Sequence, residues 1–189
     1  MNAMEEARLW ATDFYFDEQT RIQAGELMND PDQLAAAFGS ELAFGTGGLR
    51  GILGTGCARM NRYTVARATM GLGRYLLDHH LSRGVAIAHD SRHGSEEFSA
   101  VTAGVLAAMG IRVYVFPTLV PTPMLSFAVR ILHADAGVMI TASHNPAVYN
   151  GYKVYGADGC QITDKAAAAI TSRIESVRYT DPALLPETQ

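Results

Sequence analysis

Residues 137–156 contain no aspartate or glutamate, yet they hold Ser143, His144, Asn145, Asn150 and Lys153. Each of these side chains can address an anion or a hydroxyl. The densest part is Thr141-Ala142-Ser143-His144-Asn145-Pro146. Pro146 lacks a backbone donor and biases Asn145 away from helix, which predicts Ser143 on a turn instead of in a regular element. A phosphate-bearing serine fits such a place. Upstream, FGTGGLRGILGTG at 44–56 sets six glycines in thirteen positions around Arg50, a loop built for close backbone approach with no room for a regular helix or strand. No carboxylate occurs between Glu41 and Asp78, but Arg50, Arg59, Arg62, Arg67 and Arg74 do. An arginine-only stretch calls for an anion or for a solvated helix face.

Other chemistries that use similar residues can be set aside. The glycine loop is no dinucleotide fingerprint, because Arg50 stands where the third glycine belongs and a helix precedes it instead of a strand. No Gly-Lys-Ser/Thr occurs, so there is no phosphate-binding loop of that type. Ser143 lies between Thr141 and Asn145 rather than in Gly-x-Ser-x-Gly, and sequence-adjacent Ser143 and His144 make a poor nucleophile and base pair. A serine hydrolase is therefore not expected, and a fluorophosphonate should not label Ser143. His79 and His80 are neighbours on a predicted helix and point apart, as surface histidines do.

The elements that must position these residues follow from periodicity. Residues 1–44 read as an acidic helical arm, with an amphipathic run near Glu5 to Phe16 and a helix opened by Pro31 before Leu34, Ala35 and Phe38. A helix from Tyr63 to about Leu81 carries Val65, Ala68, Leu72, Tyr75 and Leu76 on one stripe. Strands are expected at Val85 to Ala88, Ile111 to Phe116 and Ala136 to Ile140, with Tyr152 to Tyr155 as an edge strand. Between them lie a helix from Ser95, as N-cap, to Met109 and one starting near Pro121 or Pro123. Thr163 caps a last helix, Asp164 to Val177, before a polar tail that ends at Gln189. The expected fold is α/β, a three-layer α/β/α domain over 45–189 with a mixed, mainly parallel sheet, preceded by the arm. In such sheets ligands gather beyond the carboxyl ends of the parallel strands, which nominates His89 to Arg92, Pro117-Thr118 and Thr141 to Pro146. Asp90 and Arg92 read first as a salt-bridged turn. Arg59, Arg62, Arg67 and Arg74 read as helix-surface residues that point different ways and supply diffuse positive potential.

Composition narrows the class. The 189 residues are 48% apolar and 18% charged, with a formal net charge of −4 that speaks against generic nucleic-acid binding. The charge is uneven: residues 1–44 hold nine acids and two bases, and the remainder ten acids and thirteen bases. No apolar run reaches the roughly 18 residues a membrane-spanning helix needs. The first residues lack the pattern of a secretory signal, and Cys57 and Cys160 form no C-x-x-C pair. The expectation is a cytoplasmic protein with reduced thiols and no membrane or nucleic-acid partner.

Three motifs in order, Gly45-Thr46-Gly47-Gly48-Leu49-Arg50-Gly51, Asp90-Ser91-Arg92 with Ser95, and Thr141 to Pro146 with Tyr149-Asn150-Gly151-Tyr152-Lys153, resemble the α-D-phosphohexomutases, the phosphoglucomutase and phosphomannomutase family. With Trp10, Arg21 and FGTGGLRG the likeness is greatest to the phosphoglucomutase and phosphopentomutase branch. The resemblance implies that Ser143 is the phosphorylated serine, exchanging its phosphoryl group with a hexose monophosphate through a sugar bisphosphate. It implies that Arg50 neutralises the phosphate, that Lys153 moves a proton or touches the phosphoryl group, and that His144 is a substrate contact or proton relay. It also implies Mg²⁺ against the phosphate on Ser143, shared with a domain outside this chain. Family enzymes have four domains, and the likeness covers the first. The Asp-Gly-Asp-x-Asp metal loop, the Gly-Glu-x-Ser-Gly sugar loop and a distal-phosphate loop do not occur here. The chain is thus expected to be an N-terminal domain, partnered by the remaining domains and a sugar phosphate such as glucose 1-phosphate or glucose 6-phosphate, and incomplete for turnover alone. The alternative is a stand-alone, non-catalytic sugar-phosphate or partner-binding domain.

Overall fold

The computed structural model describes residues 2–183. The end of the expected tail, 184–189, lies outside the described residues. Three short helices open the chain: α1 (Ala3–Thr12), α2 (Glu18–Leu27) and α3 (Pro31–Phe38). Each begins on a side chain able to satisfy free amides of the first turn. Asn2 and Glu5 form a reciprocal capping box on α1, Asp17 caps α2, and Asp30 caps α3 ahead of Pro31. Helix α2 has no counterpart in the sequence reading, because Ala24 is its one buried residue and a single apolar position makes no period.

The rest is a five-stranded sheet with four helices. In chain order these are β1 (Leu49–Ile52), α4 (Arg62–Asp78), β2 (Val85–His89), α5 (Ser95–Ala108), β3 (Val113–Val115), α6 (Thr122–Ile131), β4 (Ala136–Ile140), β5 (Tyr149–Gly156) and α7 (Asp164–Glu175). The sheet order is β1-β5-β4-β2-β3. Strands β3, β2 and β4 run parallel, while β5 is antiparallel to both β4 and β1. The α/β class and mixed sheet are therefore as expected. Two strands differ. The glycine-rich loop contains β1, in which Leu49 is buried and Arg50 exposed, and Leu42 occupies the space that a side chain on Gly51 would need. Strand β5 is not an edge strand: it starts at Tyr149 and lies between β1 and β4.

One sheet face is sealed by α4, α5 and α7. Leu72, Leu76, Val105, Leu106 and Ile170 meet Val85, Ile87, Val138, Ile140, Tyr152 and Val154 in the main core. Burial of these side chains, at about 25 cal/mol per Å² of apolar surface, is the main force holding the layers together. Among the described residues the opposite face is covered by α6, whose Leu125 and Val129 pack with Ala86, Ala88, Met139 and Tyr155. Arg50 and Lys153 alternate with core residues Leu49, Tyr152 and Val154, so they stand on this second face, on the two strands beyond α6.

The arm is fastened to the domain by an aromatic cluster. Trp10 stacks on Phe16 at 4.4 Å between ring centroids and meets Tyr63, Phe38 and Tyr179 edge-on. Arg67, expected on a helix surface, is buried there. Its Nε donates to the Val177 carbonyl at 2.7 Å, its Nη1 pairs with Glu41 at 2.6 Å, and its guanidinium lies over the Tyr179 ring. A buried charge needs such a full set of partners, and two distant segments, at Glu41 and at Val177 to Tyr179, supply it. Two of the other cations are half-buried and not fully solvated: Arg74 reaches Ser176, and Arg62 faces Glu97 at 3.7 Å. His79 is exposed, as is His80. No helix among the described residues is long and apolar enough to cross a membrane.

Candidate functional site

The loop between β4 and β5 begins where β4 leaves the sheet. Thr141 remains tied to the sheet, its amide donating to the Gly151 carbonyl at 3.0 Å, and its Oγ1 accepts from the Ser143 amide at 2.9 Å. That bond turns the chain sharply. Ser143 has φ +56°, a left-handed conformation that costs a residue other than glycine roughly 1–3 kcal/mol. Asn145 closes the turn by donating its amide to the Ala142 carbonyl at 3.1 Å. Ser143 is thereby held exposed, with its hydroxyl off any regular element.

A cleft of about 350 Å³ opens beside it, lined in part by Gly47, Gly48, Arg50, Thr141, Ser143, Lys153 and Gln161. It includes two cations and no carboxylate. Arg50 comes from β1 and Lys153 from β5, which are adjacent antiparallel strands; Lys153 pairs in register with Met139 of β4. Gly48 makes the close packing of this wall possible, because it has φ +77° and a Cβ there would collide with the carbonyl of Tyr152. Arg50 Nη1 donates to Asn145 Oδ1 at 3.2 Å, so the guanidinium already bridges toward the serine turn. Of the four residues expected at the site, Ser143, Arg50 and Lys153 share this cleft. His144 is not among its lining residues, but its Nδ1 is 3.4 Å from Ser143 Oγ.

Ser143 also lines a second hollow, with Asp90, Ser91, Arg92, His93, Asn145 and Ala147. Here the expected salt-bridged turn exists, with Arg92 Nε 3.5 Å from Asp90 Oδ2. Arg92 does more than pair. Its guanidinium donates to four carbonyls of the 143–149 segment. Ser95 is the first residue of α5 and not its cap: Gly94 takes that place at φ +76°, and Ser95 Oγ donates to Asp90 Oδ1 at 2.8 Å. Asn150, fully buried, donates through Nδ2 to Ser95 Oγ and to the His93 carbonyl, both at 2.9 Å. The sequence marked Asp90 and Arg92 but not which backbone groups they serve, since that depends on carbonyls left unpaired more than fifty residues away.

What the arrangement can do is bind an anion at a serine hydroxyl. Two cations without opposing carboxylates favour negative charge beside Ser143. A metal finds less support: no group of three or more histidine, cysteine or acidic side chains among the described residues could hold one.

Comparison with known proteins gives one consistent answer. Residues 41–181 match the family model described as phosphoglucomutase/phosphomannomutase, alpha/beta/alpha domain I. A phosphoglucomutase of Staphylococcus epidermidis is 44% identical over 167 residues, covering 88% of this chain and 29% of the relative. A probable phosphoribomutase of Schizosaccharomyces pombe is 47% identical over 161 residues, covering 81% and 27%. Among solved structures, a candidate phosphomannomutase from Thermus thermophilus superposes with a TM-score of 0.68 at 38% identity, covering 77% of this chain and 32% of that one. The chain thus spans less than a third of the length of these relatives.

Proposed function

This chain belongs to the phosphoglucomutase/phosphomannomutase family as its domain I, and we propose that within a longer polypeptide it carries, on Ser143, the phosphoryl group of a sugar-phosphate mutase. The observation that carries this reading is the convergence of Ser143, on its left-handed turn, with Arg50 and Lys153 in one cleft free of carboxylates.

In the forward step a hydroxyl of the sugar monophosphate attacks phosphorus. The P–Oγ bond to Ser143 breaks, a P–O bond to the sugar forms, the hydroxyl gives up its proton, and Ser143 Oγ ends as a hydroxyl. The resulting bisphosphate turns over and returns its other phosphoryl group to Ser143, which leaves the isomeric monophosphate. Such transfer depends on placement and charge stabilisation more than on covalent chemistry by the protein. Arg50 neutralises the phosphoryl oxygens, and it can leave Asn145 for a stronger, charge-assisted partner. Lys153, on the same cleft wall, holds the transferring group as an ammonium, or takes the sugar proton when it stands as the neutral amine. His144 Nδ1, next to Ser143 Oγ, serves as relay for the proton that restores the hydroxyl.

The described residues do not by themselves make a Mg²⁺ site. Ser143 offers one oxygen, through its phosphate, where the ion wants an octahedral set. The other ligands would come from the rest of the polypeptide, and no step above is routed through the metal. Glucose 1-phosphate and glucose 6-phosphate are the proposed substrates, with the remaining domains as partners. The unpaired Cys57 and Cys160 suit a reducing, cytoplasmic setting.

A coupled assay on the full-length polypeptide tests the reading. Ser143→Ala should lower conversion of glucose 1-phosphate by at least about 1,000-fold while leaving the fold intact. Turnover near the parent rate would refute it, and preference for ribose 1-phosphate would move the substrate to the pentose series.

A further inference from the structure

In the sequence, Arg92 reads as no more than half of a salt-bridged turn. Its surroundings say otherwise. Nη1 donates to the carbonyls of Pro146 and Tyr149, both at 3.0 Å, and Nη2 to those of Ser143 at 2.7 Å and Asn145 at 2.6 Å. Nε faces Asp90 Oδ2. A guanidinium has five N–H donors in a fixed planar fork, and here four are spent on the backbone of one loop. That loop contains Ser143 in a conformation its own side chain disfavours. The arginine is itself anchored: Asp90 Oδ1 accepts from the Arg92 amide at 3.0 Å and from Ser95 Oγ, and Ser95 is tied through Asn150 to β5.

We infer that Arg92, oriented by Asp90, is a positioning residue for phosphoryl transfer: it holds the backbone of 143–149 so that Ser143 Oγ stays at the cleft shared with Arg50 and Lys153. The inference rests on the reading of Ser143 as the phosphoryl carrier. Arg92 needs no contact with substrate for this. Its guanidinium lies among the loop carbonyls, is not among the residues lining the cleft of Arg50 and Lys153, and is largely buried with 14% of its side chain exposed. Lysine cannot replace it, because an ammonium has three donors on a flexible stem and no planar fork.

The test uses the full-length polypeptide. Arg92→Lys keeps the charge and should lower kcat by about 100-fold, the usual consequence of a small misplacement of a reacting group, with KM within about threefold of the parent. In Arg92→Gly, added methylguanidinium should recover at least about tenfold in kcat. A role in folding alone would lower apparent kcat only by the fraction of molecules left unfolded, at unchanged KM; that loss tracks thermal stability and vanishes when the rate is normalised to folded protein, whereas the loss expected here persists after that normalisation. Asp90→Asn, which keeps the shape of the anchor, should lower kcat by about tenfold at unchanged KM, and it decides the matter if the arginine variants do not fold. The inference is overturned if Arg92→Lys, or Asp90→Asn in its place, keeps kcat within about twofold of the parent while Ser143→Ala is inactive. If Ser143→Ala itself turns over, it is the carrier assignment that fails.

Discussion

Ser143 combines two properties that sequence alone could only half supply. Its neighbours Thr141, Asn145 and Pro146 announce a turn, and the lack of carboxylates around it announces an anion. The left-handed backbone, φ +56°, comes from the tertiary structure. Replacing it with glycine should therefore separate stability from activity. Ser143→Gly relieves a strained conformation at the expense of a more flexible unfolded chain, so the variant should be as stable as the parent or up to about 1 kcal/mol more stable, by urea unfolding, while losing phosphoryl acceptance altogether. Gly48 gives the opposite outcome. A side chain there would strike the Tyr152 carbonyl at positive φ, so Gly48→Ala should cost about 2–4 kcal/mol and collapse the wall between Arg50 and Lys153. Arg92 and Arg67 were the residues least legible in the sequence. Each serves backbone groups far away in the chain, and no local pattern records which carbonyls remain unpaired.

Strands and helices with a strong period were readable: β2, β4, α5 and α7 stand close to where the alternation of apolar residues puts them. Those that depend on partners were not. Strand β1 is four residues inside a glycine-rich run, stabilised by β5, and α2 buries one alanine. The arm's cluster also sets a pH limit. Burial raises the Cys57 thiol from 9.0 to about 12 and, as the largest influence, raises the Tyr63 phenol from 10.0 to about 12. Both groups are neutral when protonated, and the fold holds the proton more tightly than the open chain. Their contribution is thus complete below about pH 9 and is lost as pH rises toward 12. The urea midpoint reported by Trp10, the sole tryptophan, should fall across pH 9 to 12, and Cys57→Ala should remove the early part of that fall. A midpoint flat over this range would contradict the packing described. Trp10→Ala, which empties the centre of the cluster, should cost about 3–5 kcal/mol.

At the scale of the molecule, the sheet has one face sealed by three helices, and among the described residues the other is covered by α6 over the parallel strands and the end of β5 at Tyr155. The antiparallel half, β5 and β1, leaves Arg50 and Lys153 facing outward beside Ser143. A site so open supplies charge and an exposed serine hydroxyl but little that could recognise a sugar or exclude water. The relatives are more than three times as long as the matched segment. We therefore expect the isolated 189 residues to show no measurable mutase turnover in a coupled assay, whereas the full-length polypeptide should turn over. The most direct test of the central claim is the position of the phosphate. Full-length protein incubated with glucose 1,6-bisphosphate, digested and mapped by mass spectrometry should carry one phosphoryl group, on Ser143, and Ser143→Ala should carry none; phosphate found on another residue, or none on Ser143 in an enzyme that turns over, would contradict the account.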